Sequence, residues 1–555
     1  GMSILSRPGA KASAYPIRQD WAWMTALLIV ALVLMTVNLG GVPLRDWDEG
    51  TVAQVAREIW RSPPEARAWL FPTLGGEPYL NKPPLMHCLM AIAYRIGGVN
   101  EWTSRLPGAI LTALSVPLLY AIGRELFPGR LPALLSALVY LTWLPVARNG
   151  RLAMLDGAVL CWLMLLMWCG LRSRRDTRFA LGIGLSLGLI CLTKGLMLGL
   201  LLGGILLVFL IWDTPRLLQQ PYLWAGIALG CAPVAFWYAA QWGHYGREFL
   251  GRNLVQQSAS RIWKPVEQND GPPWYYLLEI VKYGVPWVVF LPAGIRLARN
   301  NLIFGWAKLA LVWSGVYFAA ISLMSTKLPW YVLPLYPALA LLVGGKLADL
   351  WREGRQGGVR QMPGEGYAPI WWRVLGGLGL LGWGGAIYLG LVQQPRAVDV
   401  GIVMAALAAA LTVAAVLVRR QNPQFISVLL WGMYLSLLLL MLTPHWLWEL
   451  AEAFPVQPVA ALVRSHTPAG ETVYSSYGDR RPSLEFYSDR RVLPANAERL
   501  QKLWTNEPQV YLLLDEAALQ SLKLPEKKVL GQAEGFTLVQ RVRPPVQTPP
   551  LEQPE

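Results

Sequence analysis

With 555 residues, 54% of them hydrophobic and only 15% charged, 27 tryptophans and a mean hydropathy of +0.37, the chain is too apolar for a soluble globular protein, in which nearer a quarter of residues are charged. The formal charge of +15 is scattered over many short loops, which argues against a nucleic-acid-binding domain and fits membrane topology and anionic lipid. The five cysteines (Cys88, Cys161, Cys169, Cys191 and Cys231) lie in apolar stretches without CxxC spacing, so neither a zinc site nor a disulfide framework is indicated.

The first apolar run, over about 21–41, follows a polar leader without a small-residue cleavage site and reads as a retained membrane span. A first outer loop, 42–102, then opens with Arg45-Asp46-Trp47-Asp48-Glu49-Gly50-Thr51. Val52, Val55, Ala56 and Ile59 share one helical face, predicting a helix that starts at Asp48 and lies flat on the membrane. The apolar segment 83–98 would be roughly 24 Å long as a helix and carries His87, Tyr94 and Arg95. It is too short for a hydrocarbon core of ~30 Å and is expected to lie at the interface.

With that segment left out of the count, about twelve more spans follow, at roughly 103–123, 131–147, 153–171, 179–194, 196–212, 222–241, 277–295, 304–323, 329–348, 371–391, 398–418 and 426–446. The connectors carrying Arg7, Lys11 and Arg18, Arg124 and Arg130, Arg172, Arg174, Arg175 and Arg178, Arg296 and Arg299, Arg352, Arg355 and Arg360, and Arg419 and Arg420 then share one side. The positive-inside rule makes that side cytoplasmic, with the N-terminus inside and the C-terminus outside. The predicted fold is a polytopic α-helical membrane domain over 1–446, with a later outer loop at 242–276. A small extracytoplasmic α/β domain over 447–543 follows, read from β-like runs at 472–477 and 510–514 between helical stretches at 497–503 and 516–522. The Pro/Gln/Glu-rich tail 544–555 is expected to be disordered.

The outer side collects the unusual polar residues. Asp46, Asp48 and Glu49 fall within four positions beside the bilayer, where a carboxylate either accepts a proton from an acceptor, orients a sugar or simply caps the helix. Lys82, in Asn81-Lys82-Pro83-Pro84, stands at headgroup height, suited to a lipid phosphate or to ordinary snorkelling. Asp156 follows the turn Arg148-Asn149-Gly150-Arg151 and is either functional or salt-bridged. Lys194 interrupts a long apolar stretch and marks a turn. Arg247, Arg252, Arg261 and Lys264 are interleaved with aromatics in the later loop, and Lys327 precedes Pro329-Trp330-Tyr331 and Pro334-Leu335-Tyr336-Pro337. Together these cations outline an anion site on one face.

In their order and spacing, several motifs resemble the C-type glycosyltransferase (GT-C) fold, and within it the lipid A aminoarabinose transferases and protein O-mannosyltransferases. They are Asp48-Glu49 with Ala56-Arg57-Glu58, Asn81-Lys82-Pro83-Pro84, Leu155-Asp156, Thr193-Lys194-Gly195, Pro272-Pro273-Trp274-Tyr275-Tyr276, Lys327-Leu328-Pro329 and Pro482-Ser483-Leu484. The resemblance covers nearly the whole chain. It implies an inverting transferase that moves a sugar from a polyprenyl (undecaprenyl) phosphate carrier to a lipid, glycan or protein acceptor at the outer face of the cytoplasmic membrane. It implies catalytic carboxylates at Asp48, Asp156 and Glu49, and a carrier-phosphate site of Lys82, Arg57, Arg261, Lys327, Tyr331 and Tyr336. The aminoarabinose transferases have a Glu before the loop lysine and a His in the later loop that can hold zinc; here those positions are Asn81 and Ser258, so no metal and no other cofactor is expected. A lipid-linked-sugar transporter would show repeats and midplane acids, which the sequence lacks. A scaffold would leave the charged constellation unused, and a ligase or polymerase of lipid-linked glycans would share the same phosphate chemistry.

Overall fold

The computed structural model describes residues 17–253, 271–355, 366–447 and 456–542. By internal contacts the chain forms two units. The first comprises Gly1–Pro43, Ser62–Pro72 and Tyr79–Leu447; the second comprises Leu44–Arg61, Thr73–Pro78 and Trp448–Glu555. The expected boundary at 446/447 is therefore incomplete, because the first-loop helix Asp48–Arg61 groups with the C-terminal region.

The first unit is a helical bundle. Among the described residues ten helices are long and apolar enough to cross a membrane, and twelve if each of two bent pairs counts as one span. Asp156–Arg172, with 17 residues, is about 25 Å long and accounts for the difference from the thirteen spans expected. Leu85–Gly97, the expected interfacial segment, is a separate 13-residue helix. Many outward-facing side chains are large and apolar, Leu200, Leu323, Leu381 and Trp431 among them, as lipid contact requires and water does not. The chain is a multi-pass membrane protein.

Two expected straight spans are broken. Arg130–Leu141 and Leu144–Gly150 meet at 62°, and Tyr275–Tyr283 and Trp287–Arg299 at 114°. Pro145 and Pro286 cannot supply the N–H that would continue each helix, and the two breaks are tied to each other by tryptophan side chains. The Trp143 indole donates to the Gly284 carbonyl at 2.8 Å, and the Trp287 indole to Thr142 Oγ1 at 3.1 Å. Elsewhere small residues permit close packing. A Cβ on Gly184 or Gly188 would run into the backbone of Gly226 or Gly230, and a Cβ on Gly226 or Gly230 into that of Leu181 or Gly184, so the helices Leu181–Lys194 and Pro221–Tyr245 meet closely through their glycines.

The basic connectors gather at one end of this bundle through ion pairs. Asp20 takes Arg124 at 3.1 Å, Glu125 takes Arg172 at 3.2 Å and Arg175 at 2.7 Å, and Asp213 takes Arg174 at 3.1 Å and Lys308 at 3.2 Å.

In the second unit five strands, with β1 (Thr73–Leu74) and β2 (Glu77–Pro78) forming a separate first-loop hairpin, lie in the order β4-β3-β5-β7-β6. Here β3 is Thr472–Ser475, β4 Arg491–Pro494, β5 Gln509–Asp515, β6 Lys528–Ala533 and β7 Phe536–Val542. The first three pair in parallel and the last two antiparallel. Val510, Leu512 and Leu514 on one face of β5 pack with Leu500 and Trp504; Tyr511 and Leu513 on the other pack with Val459 and Leu484. The alternation and the helices on either side make the expected α/β layer.

The first-loop helix does not present its apolar face as a surface. Val52, Ala53, Val55 and Ala56 are buried, and the helix packs against Pro482–Ser488, where a Cβ on Gly50 would stand 2.7 Å from the Ser483 nitrogen. The moment that suggested a membrane-lying helix is used by the helix's own unit.

Candidate functional site

One cavity in the membrane unit brings together charged groups from distant parts of the sequence. Lys82, Asp156, Lys194, Tyr317, Trp330 and Tyr331 line a space of about 650 Å³, mouth included, with an apolar floor containing Val159, Leu198 and Ile321. It lies at the end of the bundle opposite the basic connectors, since Asp156 begins the helix whose last residue is Arg172. Helix geometry explains the placement: Asp156 sits in a first turn, where a negative charge is favoured, and Lys194 at a helix end, where a positive charge is favoured. The two form an ion pair, with side chains 9% and 14% exposed. Lys194 Nζ also lies 5.6 Å from the Tyr331 ring centre, and the Tyr331 carbonyl accepts from Tyr317 Oη at 2.5 Å.

Lys82, Asp156 and Tyr331 thus come together as the motifs suggested, joined by Lys194, which the sequence marked only as a turn. Its signal was legible as a lone cation in an otherwise apolar stretch. Tyr336 does not line this cavity; its fully buried ring packs 5.0 Å from Trp143. Lys327 is also directed elsewhere. Its ammonium donates to the carbonyls of Ile321 at 3.1 Å and Ser322 at 2.6 Å and to that of Met324, closing the end of the helix Gly305–Leu323. Arg261 and Ser258 lie outside the described residues. Near Lys82, His87 is fully buried with its ring 5.4 Å from Tyr79; burial lowers its pKa to about 4 and keeps it neutral. Among the described residues no three His, Cys, Asp or Glu side chains are grouped to share a metal ion.

The second unit holds the remaining candidates. Of its three clustered acids, Asp46 is bound by Arg481 and Ser483, and fully buried Glu49 accepts from the Arg45 backbone N–H at 3.1 Å. Asp48, 16% exposed, lies 3.5 Å from Arg45 at the start of the helix. Arg57 is turned into its own unit, donating to the Phe486 carbonyl at 2.6 Å with its guanidinium 4.3 Å from the Phe486 ring. Glu58 holds the β1–β2 turn through Thr73 Oγ1 and the backbone N–H groups of Gly75 and Gly76 at 2.7–3.0 Å. Glu485 is buried against Arg480 at 2.8 Å, and burial pushes its pKa up to about 7 despite that cation.

Residues 81–238, which supply Lys82, Asp156 and Lys194, match the family model of dolichyl-phosphate-mannose-protein mannosyltransferases. The whole fold matches the crystal structure of ArnT from Cupriavidus metallidurans bound to undecaprenyl phosphate, with a TM-score of 0.74 over 94% of this chain and 98% of that one at 20% identity. The chain is a polyprenyl-phosphate-sugar glycosyltransferase of the GT-C fold. Within that class it resembles an undecaprenyl phosphate-alpha-4-amino-4-deoxy-L-arabinose arabinosyl transferase of Pseudomonas fluorescens, 29% identical over 82% of this chain and 78% of the relative. A second transferase of that name, from another strain of the species, is 30% identical over 60% of each chain.

Proposed function

We propose that the enzyme seats the phosphate of an undecaprenyl-phosphate or related polyprenyl-phosphate sugar in the Lys82–Lys194 cavity and transfers the sugar to a lipid, glycan or protein acceptor. The observation that carries this reading is the presence of two ammonium groups and one carboxylate in a single cavity with apolar walls. The acceptor oxygen forms a bond to the anomeric carbon as the carbon–oxygen bond to the carrier phosphate breaks, and the electron pair leaves on that phosphate. Lys82 and Lys194 stabilise the departing charge, and electrostatic stabilisation of this kind is commonly the largest catalytic term. Asp156 holds Lys194 in place, while Tyr331 borders the same space with its ring beside the Lys194 ammonium. Asp48 acts on the acceptor as base or orienting group. Supporting that role, Asp46 and Glu49 beside it are more deeply buried and engaged within their own unit, whereas Asp48 keeps partial exposure. The proposed setting is the outer face of the cytoplasmic membrane, following the positive-inside reading of the basic end.

The test incubates purified protein with a panel of polyprenyl-phosphate sugars and a native membrane extract, and follows release of free carrier phosphate. Release by the wild type, its loss in Lys82→Ala and its loss in Asp48→Asn support the proposal. Equal release by Lys82→Ala contradicts the phosphate site, and equal release by Asp48→Asn contradicts the role given to that carboxylate.

A further inference from the structure

The wall of the Lys82–Lys194 cavity that carries Trp330, Tyr331 and Pro334 is the 3-10 helix Pro329–Leu335. In such a helix a carbonyl is closed by the N–H three residues further on. The Leu328 carbonyl is closed in this way by the Tyr331 N–H at 3.1 Å, and the Leu333 carbonyl by the Tyr336 N–H. Proline has no N–H to give. Pro334 therefore withholds the donor that would close the Tyr331 carbonyl, and Pro337 the donor that would close that of Pro334.

Side chains from neighbouring helices stand at these positions. From Gly305–Leu323, the Tyr317 hydroxyl donates to the Tyr331 carbonyl at 2.5 Å and the Trp313 indole to the Pro334 carbonyl at 2.9 Å. From Tyr275–Tyr283, the Tyr276 hydroxyl grips both polar groups of Leu328, donating to the carbonyl at 3.0 Å and accepting from the N–H at 3.1 Å. All three aromatic side chains are buried, a setting in which a backbone group left without a partner is costly. Of the three, Tyr317 alone also lines the cavity. The residue it holds is the one whose ring stands 5.6 Å from the Lys194 ammonium.

We infer that Tyr317 is a positioning residue for carrier binding. By supplying the hydrogen bond that Pro334 cannot, it fixes the backbone at Tyr331 and with it the ring that faces Lys194, while Tyr276 holds the same wall where it begins. Its hydroxyl proton is committed to the Tyr331 carbonyl, so Tyr317 acts through Tyr331 and Lys194 and not on the phosphate itself. The inference rests on the phosphate site proposed above.

The experiment is equilibrium binding of undecaprenyl phosphate to the purified full-length protein, with the thermal midpoint recorded for each variant. The variants are Lys82→Ala, Tyr317→Phe, Tyr276→Phe, and Tyr317→Phe placed in an Asp156→Asn/Lys194→Met background. Tyr317→Phe keeps the ring and removes the hydrogen bond, and is expected to weaken binding about fivefold, the equivalent of one such bond. In the background without Lys194 the same substitution is expected to change affinity by less than about twofold, because residues that act through one another are not additive. A loss that persists in full in that background marks a merely structural role and overturns the inference, as does a lowered thermal midpoint with wild-type affinity. If Tyr317→Phe does not fold, Tyr276→Phe carries the same comparison. Equal binding by Lys82→Ala overturns the phosphate site and this inference with it. Loss in Lys82→Ala beside unchanged binding in both phenylalanine variants overturns this inference alone.

Discussion

The cavity of the membrane unit and the first-loop helix both begin as charges near the bilayer in the sequence, yet the structure uses them differently. In the cavity, Lys82, Lys194 and Asp156 face a shared space. Along the helix, Arg57 is turned to the Phe486 carbonyl, Glu58 to the β1–β2 turn and Glu49 to the Arg45 backbone. The difference teaches that a charge beside a membrane acquires a chemical role only if the tertiary fold leaves space in front of it. Otherwise backbone groups, which also need partners, take it up.

The largest expected effect sharpens the cavity side of the comparison. Lys194→Met leaves the Asp156 carboxylate buried without its cation and is expected to cost about 3–5 kcal/mol of stability, read as a lowered thermal midpoint in detergent. The double variant Asp156→Asn/Lys194→Met should recover most of that stability without recovering transfer. Recovery of both would reduce the pair to a structural salt bridge. Lys82→Ala should lower carrier-phosphate release by about 10²–10³, the usual loss when one preorganised electrostatic group is removed, with little change in the thermal midpoint.

The second unit should respond through stability. Glu485 has a folded pKa of about 7 against 4.5 in the unfolded chain. Between those values the folded state retains a proton that the unfolded state releases, so stability falls as pH rises through this window, by about 3 kcal/mol in all. Glu485→Gln should remove that slope in hydrogen exchange of β3 and β5. A slope that persists in the variant would assign it to another group. Arg57→Ala should cost this unit about 1.5–3 kcal/mol, the range for hydrogen bonds from a charged group, with a smaller effect on transfer than Lys82→Ala. The smallest effect is expected from Lys327→Met, about 1 kcal/mol from the loss of a cation at a helix end, with carrier binding intact.

Much of the architecture was legible because apolar runs of membrane length and breaks at Gly, Pro and charged residues are local signals. The short helix Leu85–Gly97 and the α/β character of the C-terminal region were accessible in this way, and Lys82, Asp156 and Tyr331, which line one cavity, stood among the polar residues and motifs of the outer side. The roles of Arg57, Lys327 and Tyr336 were not, because each depends on groups whose approach is set by packing: Phe486, the carbonyls after Ile321, and Trp143. The amphipathic pattern from Val52 to Ile59, read as a face lying on the membrane, carried no information about what covers Val52, Val55 and Ala56, which are buried. The sharp bend near Pro286 left a trace in Gly284-Val285-Pro286, although hydropathy over 277–295 reads through it.

The most direct test of the account is equilibrium binding of undecaprenyl phosphate to purified wild type, the pair Lys82→Ala/Lys194→Met and the pair Arg57→Ala/Lys327→Met. The account predicts that the first pair loses affinity by tenfold or more while the second stays within about twofold of wild type, a difference of about 1 kcal/mol or more. Loss of binding in the second pair with retention in the first would contradict it, and would move the carrier phosphate away from the cavity of Lys82 and Lys194.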